Sequence, residues 1–158
     1  MTMMLLENTP LVVALCAIIF AQILKVPIYF LVMKKWDFSL LTSTGGMPSS
    51  HSAAVASLAT AVGFETSLDS PVFAVAVMFA LIVMYDASGV RLEAGKHATL
   101  LNELRQDFDL LTKNIAEWPK LDAEEKHQEL KTLLGHKRSE VVVGALAGIA
   151  LACTIYIF

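Results

Sequence analysis

The sequence predicts an all-α integral membrane protein: a bundle of about four transmembrane helices, with a cytoplasmic helical hairpin inserted between the third and fourth. Three observations carry this. Of 158 residues, 56% are hydrophobic and 17% are charged, an apolar share above the ~45–50% usual for a soluble domain. The apolar residues gather in blocks approaching the roughly 20 residues a helix needs to cross a bilayer. The basic residues are confined to alternate loops. The whole chain, 1–158, reads as one membrane domain, with the polar hairpin at 92–134.

The first block runs from Thr9 to about Met33, broken only by Gln22, Lys25 and Pro27. Ahead of it, Met1 to Pro10 carries no Lys or Arg, and no small-residue cleavage site follows, so a retained helix is expected rather than a signal peptide. The second block, Ser52 to Phe64, is short and rich in Ala, Ser and Val. The third runs from Pro71 to Tyr85. Both span a bilayer only by borrowing flanking residues such as Met47 or those from Ala87 to Val90. The fourth runs from Val141 to Phe158. Cys16 and Cys153 fall inside apolar helices and are expected to be small buried side chains. No disulfide or metal-ligand spacing is present, and no cofactor is expected.

The net charge of −3 is small and says nothing about partners; no nucleic-acid partner is expected. Charge placement says more. All 12 Lys and Arg lie in loop one (Lys34 to Met47), in loop three (Arg91 to Ser139) or at Lys25, whereas loop two holds Glu65 and Asp69 and no base. The positive-inside rule places loops one and three in the cytoplasm and both termini outside.

Loop three is the one sizeable polar segment. Leu101, Leu104, Phe108, Leu111, Ile115 and Trp118 step by three and four, a helical stripe that Pro119 ends. Asp122 caps a second helix carrying Leu130, Leu133 and Leu134 before Gly135. A hairpin within one chain is preferred over a coiled coil between subunits.

Polar groups are costly in a membrane chain and mark functional sites. Four features qualify. In Thr44-Gly45-Gly46-Met47-Pro48-Ser49-Ser50-His51-Ser52 a Gly/Pro turn leads into a helix start. Free N–H groups and the positive dipole end suit an anion there; the plainer role is a loop with Ser49 or Ser50 as helix cap. In Gly135-His136-Lys137-Arg138-Ser139-Glu140, His136 and Glu140 are four apart and share a helix face, so the carboxylate can orient the imidazole. Gly144, Gly148 and Ala152 continue that stripe, a small-xxx-small pattern for close packing. At the end of helix three, Arg91 either snorkels or forks onto a phosphoryl group, with Asp86 as an ion-pair partner for Arg91 or Lys25. Lys25 either snorkels or points inward as a phosphate ligand. All of these lie at the cytoplasmic ends of their helices.

These residues resemble the type 2 phosphatidic acid phosphatase superfamily, which includes the vanadium-dependent haloperoxidases. Pro48-Ser49-Ser50-His51 resembles its Pro-Ser-Gly-His motif with Ser50 for Gly. His136 and Glu140 resemble the end of its third motif with Glu for Asp, Arg91 its arginine, and Lys25 the lysine of its first motif. Gly45 to Ala53 is similar to a divergent branch of small bacterial membrane proteins. The chain departs from the main family in length between Arg91 and His136: 44 residues (92–135) stand where the family has a few. The hairpin is then an insertion inside the third motif. The rival alignment uses His97 but finds Leu101 where a carboxylate belongs.

The resemblance implies a metal-free lipid phosphate phosphatase of the bacterial cytoplasmic membrane, hydrolysing a phosphomonoester or pyrophosphate. His136 attacks phosphorus and becomes a phosphohistidine, Glu140 fixes its tautomer, and His51 protonates the leaving oxygen and then activates water. Lys25, Arg91, Ser49, Ser50 and the Gly46 N–H hold the phosphoryl oxygens. A cytoplasm-facing site favours phosphatidate or phosphatidylglycerophosphate. The alternative is a non-catalytic membrane protein that keeps the pocket to bind a lipid headgroup or a partner. Loop three and the small-residue stripe of helix four offer faces for a homo-oligomer.

Overall fold

The computed structural model describes residues 7–113 and 135–158. Among the described residues the regular elements are all helical: α1 (Thr9–Met33), a 3₁₀ turn (Phe38–Leu41), α2 (Ser50–Thr66), α3 (Pro71–Ser88), α4 (Val90–Lys113) and α5 (Arg138–Ile157).

The helix ends have local causes. The Asn8 side chain accepts the Leu11 N–H at 3.1 Å, and Pro10 occupies the first turn of α1, where no N–H is needed. Lys34 ends α1 in a left-handed conformation. The α2 cap is Ser49, whose Oγ accepts the Ser52 N–H at 3.3 Å. Ser70 caps α3 through the Val72 N–H, with Pro71 at the first position. Gly89 closes α3 with its N–H on the Tyr85 carbonyl at 2.9 Å, and α4 begins one residue later. In α5 the Glu140 Oε2 reaches back to the Lys137 N–H at 3.2 Å.

α2 lies at the centre and packs against α1, α3 and α5. Its buried positions are small: Ser52, Ala53, Ala56, Ser57, Ala59 and Ala61. Small side chains let helix backbones approach closely, the usual way helices pack where lipid offers no hydrophobic drive. The larger apolar side chains face outward: Ile19 is 61% exposed, Val75 69% and Leu146 61%. A soluble protein does not expose such a surface over its length. α1, the stretch Pro71–Gln106 and α5 are long and apolar enough to cross a membrane. α2 has 17 residues and buries serines. It tolerates them because three other helices, rather than lipid, surround it. The fold is therefore a helical membrane bundle, as the sequence predicts.

Three expectations need correction. The Gly144–Gly148–Ala152 stripe is not a free face for a second subunit. A Cβ at Gly144 would run into the Ser49 carbonyl and one at Gly148 into the Ala53 carbonyl, and Ala152 is wholly buried. Close packing of α5 on α2 within the chain consumes the stripe. Cys16 is exposed and Cys153 half-buried; an apolar thiol is as compatible with an outward-facing position as with a core. His136 stands ahead of α5, which begins at Arg138 after the Lys137 cap, rather than on a helix face with Glu140. The start of loop three is helical, as its stepped leucines predict, and α4 follows α3 directly. Leu101, Leu104 and Phe108 lie exposed on α4. The Leu111 side chain, Ile115, Trp118, Pro119, Asp122 and the second hairpin helix with Leu130, Leu133 and Leu134 lie outside the described residues.

Candidate active site

The C-terminal part of α1, the start of α2, the end of α3 and the start of α5 meet at one end of the bundle. The opposite end is tied by the Phe64–Tyr156 stack (5.0 Å) and by the Tyr156 hydroxyl, which donates to Glu65 at 2.8 Å.

His136 is placed from three directions. Its N–H donates to the Ala87 carbonyl at the end of α3 at 2.9 Å. Gly135, at φ +84, has its Cα against the Arg91–Leu92 backbone, where a Cβ would collide. Only glycine satisfies both demands. Gly135 thus lies against Arg91 and Leu92, which brings Arg91 and His136 to one cleft despite their separation in sequence. Finally, the His136 Nδ1 lies 3.0 Å from Glu140 Oε2. The side chain is 2% exposed, and its Nε2 has no hydrogen-bond partner among the described residues. With the carboxylate accepting from Nδ1–H, the lone pair resides on Nε2.

His51 stands across from it, ring centroids 6.1 Å apart and tilted by 60°. Both rings line a cleft of about 60 Å³ together with Arg91, Asp86, Thr44 and Gly135. His51 is exposed. Arg91 Nε pairs with Asp86 Oδ2 at 2.5 Å, and both side chains are substantially exposed, 55% and 40%. Exposed pairs are worth about 0–1 kcal/mol, so an anion can compete for the guanidinium.

The other residues singled out from the sequence stand around this cleft rather than on its lining. Lys25 is 1% exposed, so it does not snorkel; its Nζ donates to the Ser43 carbonyl at 2.8 Å. Gly46, at φ +89, sits over the Lys25 side chain. Ser49 is fully buried, its Oγ capping α2 and its N–H donating to the Glu140 carbonyl at 3.0 Å. That last bond ties the start of α2, which carries His51, directly to the start of α5, which carries Glu140. Ser50 is 6% exposed at the first turn. His97 is exposed on α4 and does not line the cleft.

Two participants escaped the sequence reading. Gln22 Nε2 donates to the Leu41 carbonyl at 3.1 Å, so Gln22 and Lys25 together hold the loop that precedes Gly45. Their spacing of three, on one helix face, was the available signal. The Ala87 carbonyl, which anchors His136, has no sequence signal at all.

A multi-pass helical membrane protein with two histidines and an arginine around a polar cleft at one end is the class that fold and site define. The chain belongs to the Divergent PAP2 family, whose model matches residues 6–151. It is 53% identical over 156 residues to the "Uncharacterized membrane protein YuiD" of Bacillus subtilis (strain 168), covering 99% of each chain. No solved structure matches. The family resemblance noted in the motifs is thereby established over most of the chain.

Proposed function

We propose that the protein is a lipid phosphate phosphatase that works through a phosphohistidine on His136. One observation carries this: a buried imidazole held by Glu140 at 3.0 Å, its other nitrogen unpartnered among the described residues, lining a cleft shared with His51 and Arg91. An attacking nitrogen needs its target about 3–3.5 Å away, and rings 6.1 Å apart leave room for a phosphoryl group between them.

His136 Nε2 attacks phosphorus and the bond to the lipid oxygen breaks. His51 gives that oxygen a proton. His51 then takes a proton from water, the hydroxide attacks phosphorus, the P–N bond breaks and phosphate leaves. Acid–base help of this kind is worth about 10²–10⁴-fold. Arg91 stabilises the equatorial oxygens as charge develops. The charge of Lys25, and the Gly46, Ser49 and Ser50 turn above it, add positive potential and shape the wall. The basic loops support a cytoplasm-facing site in the cytoplasmic membrane, and phosphatidate or phosphatidylglycerophosphate is the substrate that such a site favours.

Phosphate release from a lipid phosphate panel tests the proposal. His136→Ala and His51→Ala are expected to abolish release while the parent turns over; equal rates in all three overturn it. A second reading, a pocket that binds a headgroup without turnover, is favoured by the Arg91–Asp86 pair, which already occupies the guanidinium. Headgroup binding without phosphate release by the parent supports that reading.

A further inference from the structure

α1 overshoots the rest of the bundle at the end where the cleft lies. At the opposite end its start is level with the ends of α2 and α5, because the Tyr156 hydroxyl bonds both Glu65 and Thr9. From there α1 runs for 25 residues, against 17 for α2 and 20 for α5. At 1.5 Å per residue it is about 37 Å long. That exceeds the ~30 Å hydrocarbon core of a bilayer and stays within the ~40–45 Å that includes headgroups. The last turn of α1 and the residues after it therefore stand at headgroup depth.

The chain then folds back along α1. Gln22 Nε2 donates to the Leu41 carbonyl at 3.1 Å and Lys25 Nζ to the Ser43 carbonyl at 2.8 Å. Lys25 lies about 12 Å before Met33 along the helix, so residues 34–43 form a hook over the end of α1. The hook presents two kinds of side chain. Phe30, Trp36 and Phe38 form a stack, with ring centroids 4.3 Å and 6.1 Å apart and planes 17° and 8° from parallel. Trp36 and Phe38 remain 60% and 66% exposed, which suits the boundary between lipid chains and headgroups, where tryptophan gathers. Beside them Lys34 and Lys35 are both exposed. Lys34 ends α1 at φ 56, a position that glycine ordinarily takes. That conformation is costly for a residue with a Cβ, and a lysine there sets a charge at the headgroup plane that glycine would not. The one acid of the hook, Asp37, is engaged in the 3₁₀ turn, its carboxylate accepting the Ser39 N–H at 3.0 Å and the Ser39 hydroxyl at 2.6 Å.

We infer that the hook is a docking site for the headgroup of an anionic phospholipid. Lys34 and Lys35 take its phosphate, and the Phe30–Trp36–Phe38 stack sits where headgroup gives way to chain. The site is separate from the cleft, since Lys34 stands about 13 Å beyond Lys25 along α1, and it does not depend on turnover there. A soluble partner would have to displace the lipid that already surrounds α1.

The test uses the full chain in nanodiscs of phosphatidylcholine and phosphatidylglycerol, with bromine on the chains of one lipid or the other at equal fraction. Trp36 fluorescence is read as the difference between the parent and Trp36→Phe, because Trp118 also emits. A lysine near an anionic surface is worth roughly fivefold in local concentration. Brominated phosphatidylglycerol is therefore expected to quench Trp36 as if enriched several-fold over brominated phosphatidylcholine, and the preference is expected to shrink at high salt. The double variant Lys34→Gln, Lys35→Gln is expected to lose the preference and keep the quenching. Lys35→Gln alone, which leaves the end of α1 intact, is expected to lower the preference should the double variant fail to fold. Equal quenching by the two lipids in the parent overturns the site. A preference that survives the glutamine substitutions also overturns it and assigns the preference to other basic residues. No quenching by either lipid leaves the hook clear of the bilayer, free for a soluble partner, and overturns the inference as well. None of these outcomes bears on phosphate release.

Discussion

Gly144→Ala tests the joint on which the site depends. A Cβ at Gly144 meets the Ser49 carbonyl, with Ser49 N at 3.0 Å and Ser49 C at 3.1 Å. These are backbone atoms of a helix start and cannot swing aside as a flexible side chain does. Ordinary carbon contacts lie at about 3.5–4.0 Å, so α5 and α2 must separate by several tenths of an ångström or more. Overpacking of this kind costs about 1–3 kcal/mol. The displacement falls beside the Ser49 N–H bond to the Glu140 carbonyl, between His51 and His136. A misplacement of about 1 Å in reacting groups can lower a rate ~10²-fold. Thermal unfolding in detergent and phosphate release are measured for Gly144→Ala, Gly148→Ala and Leu146→Ala. Both glycine variants are expected to melt lower. Gly144→Ala is expected to lose the larger share of activity, because Gly148 lies one turn further from the site, against Ala53. Leu146 faces outward and its variant behaves as the parent. A Gly144→Ala protein as stable and active as the parent, but with an altered oligomeric state, refutes packing of the stripe within the chain.

Other consequences follow from single contacts. Lys25→Met removes the donor to the Ser43 carbonyl; a hydrogen bond to a charged group is worth about 1.5–3 kcal/mol, so a lower melting temperature and weaker vanadate binding are expected, and unchanged values for both contradict its role. Asp86→Asn releases Arg91 from its partner and is expected to tighten vanadate binding several-fold, whereas Arg91→Ala weakens it; a weakening in both variants shows that Asp86 holds Arg91 in its binding position. With Cys16 and Cys153 replaced, Thr66→Cys is expected to react with an external impermeant thiol reagent and Lys96→Cys is not; the opposite pattern inverts the orientation.

How much of this was legible depended on the range of each interaction. Helix blocks are local, set by hydropathy, and the structure matches them; His136 does pair with Glu140, but from the turn ahead of α5 rather than from a shared helix face. The cluster from Gly45 to His51 was visible because Gly and Pro punctuate it, yet its serines turn out to cap and bury rather than line the cleft. Arg91 beside His136 is a contact across 44 residues, closed by Gly135 against Leu92, and no local pattern encodes that closure. Small-residue spacing announced that Gly144 and Gly148 touch a backbone but not whose; the Ala- and Ser-rich α2 settles the matter. The polar break at Gln22 was seen as an interruption, although its partner carbonyls lie in a loop that hydropathy cannot place.

The most direct test of the central claim is to trap the covalent intermediate. The purified protein is mixed briefly with ³²P-labelled phosphatidate, quenched in alkali and digested. The label is expected on the peptide containing His136, stable to alkali and lost in acid, and absent from His136→Ala. Label on another residue, or full phosphate release by His136→Ala, contradicts the account.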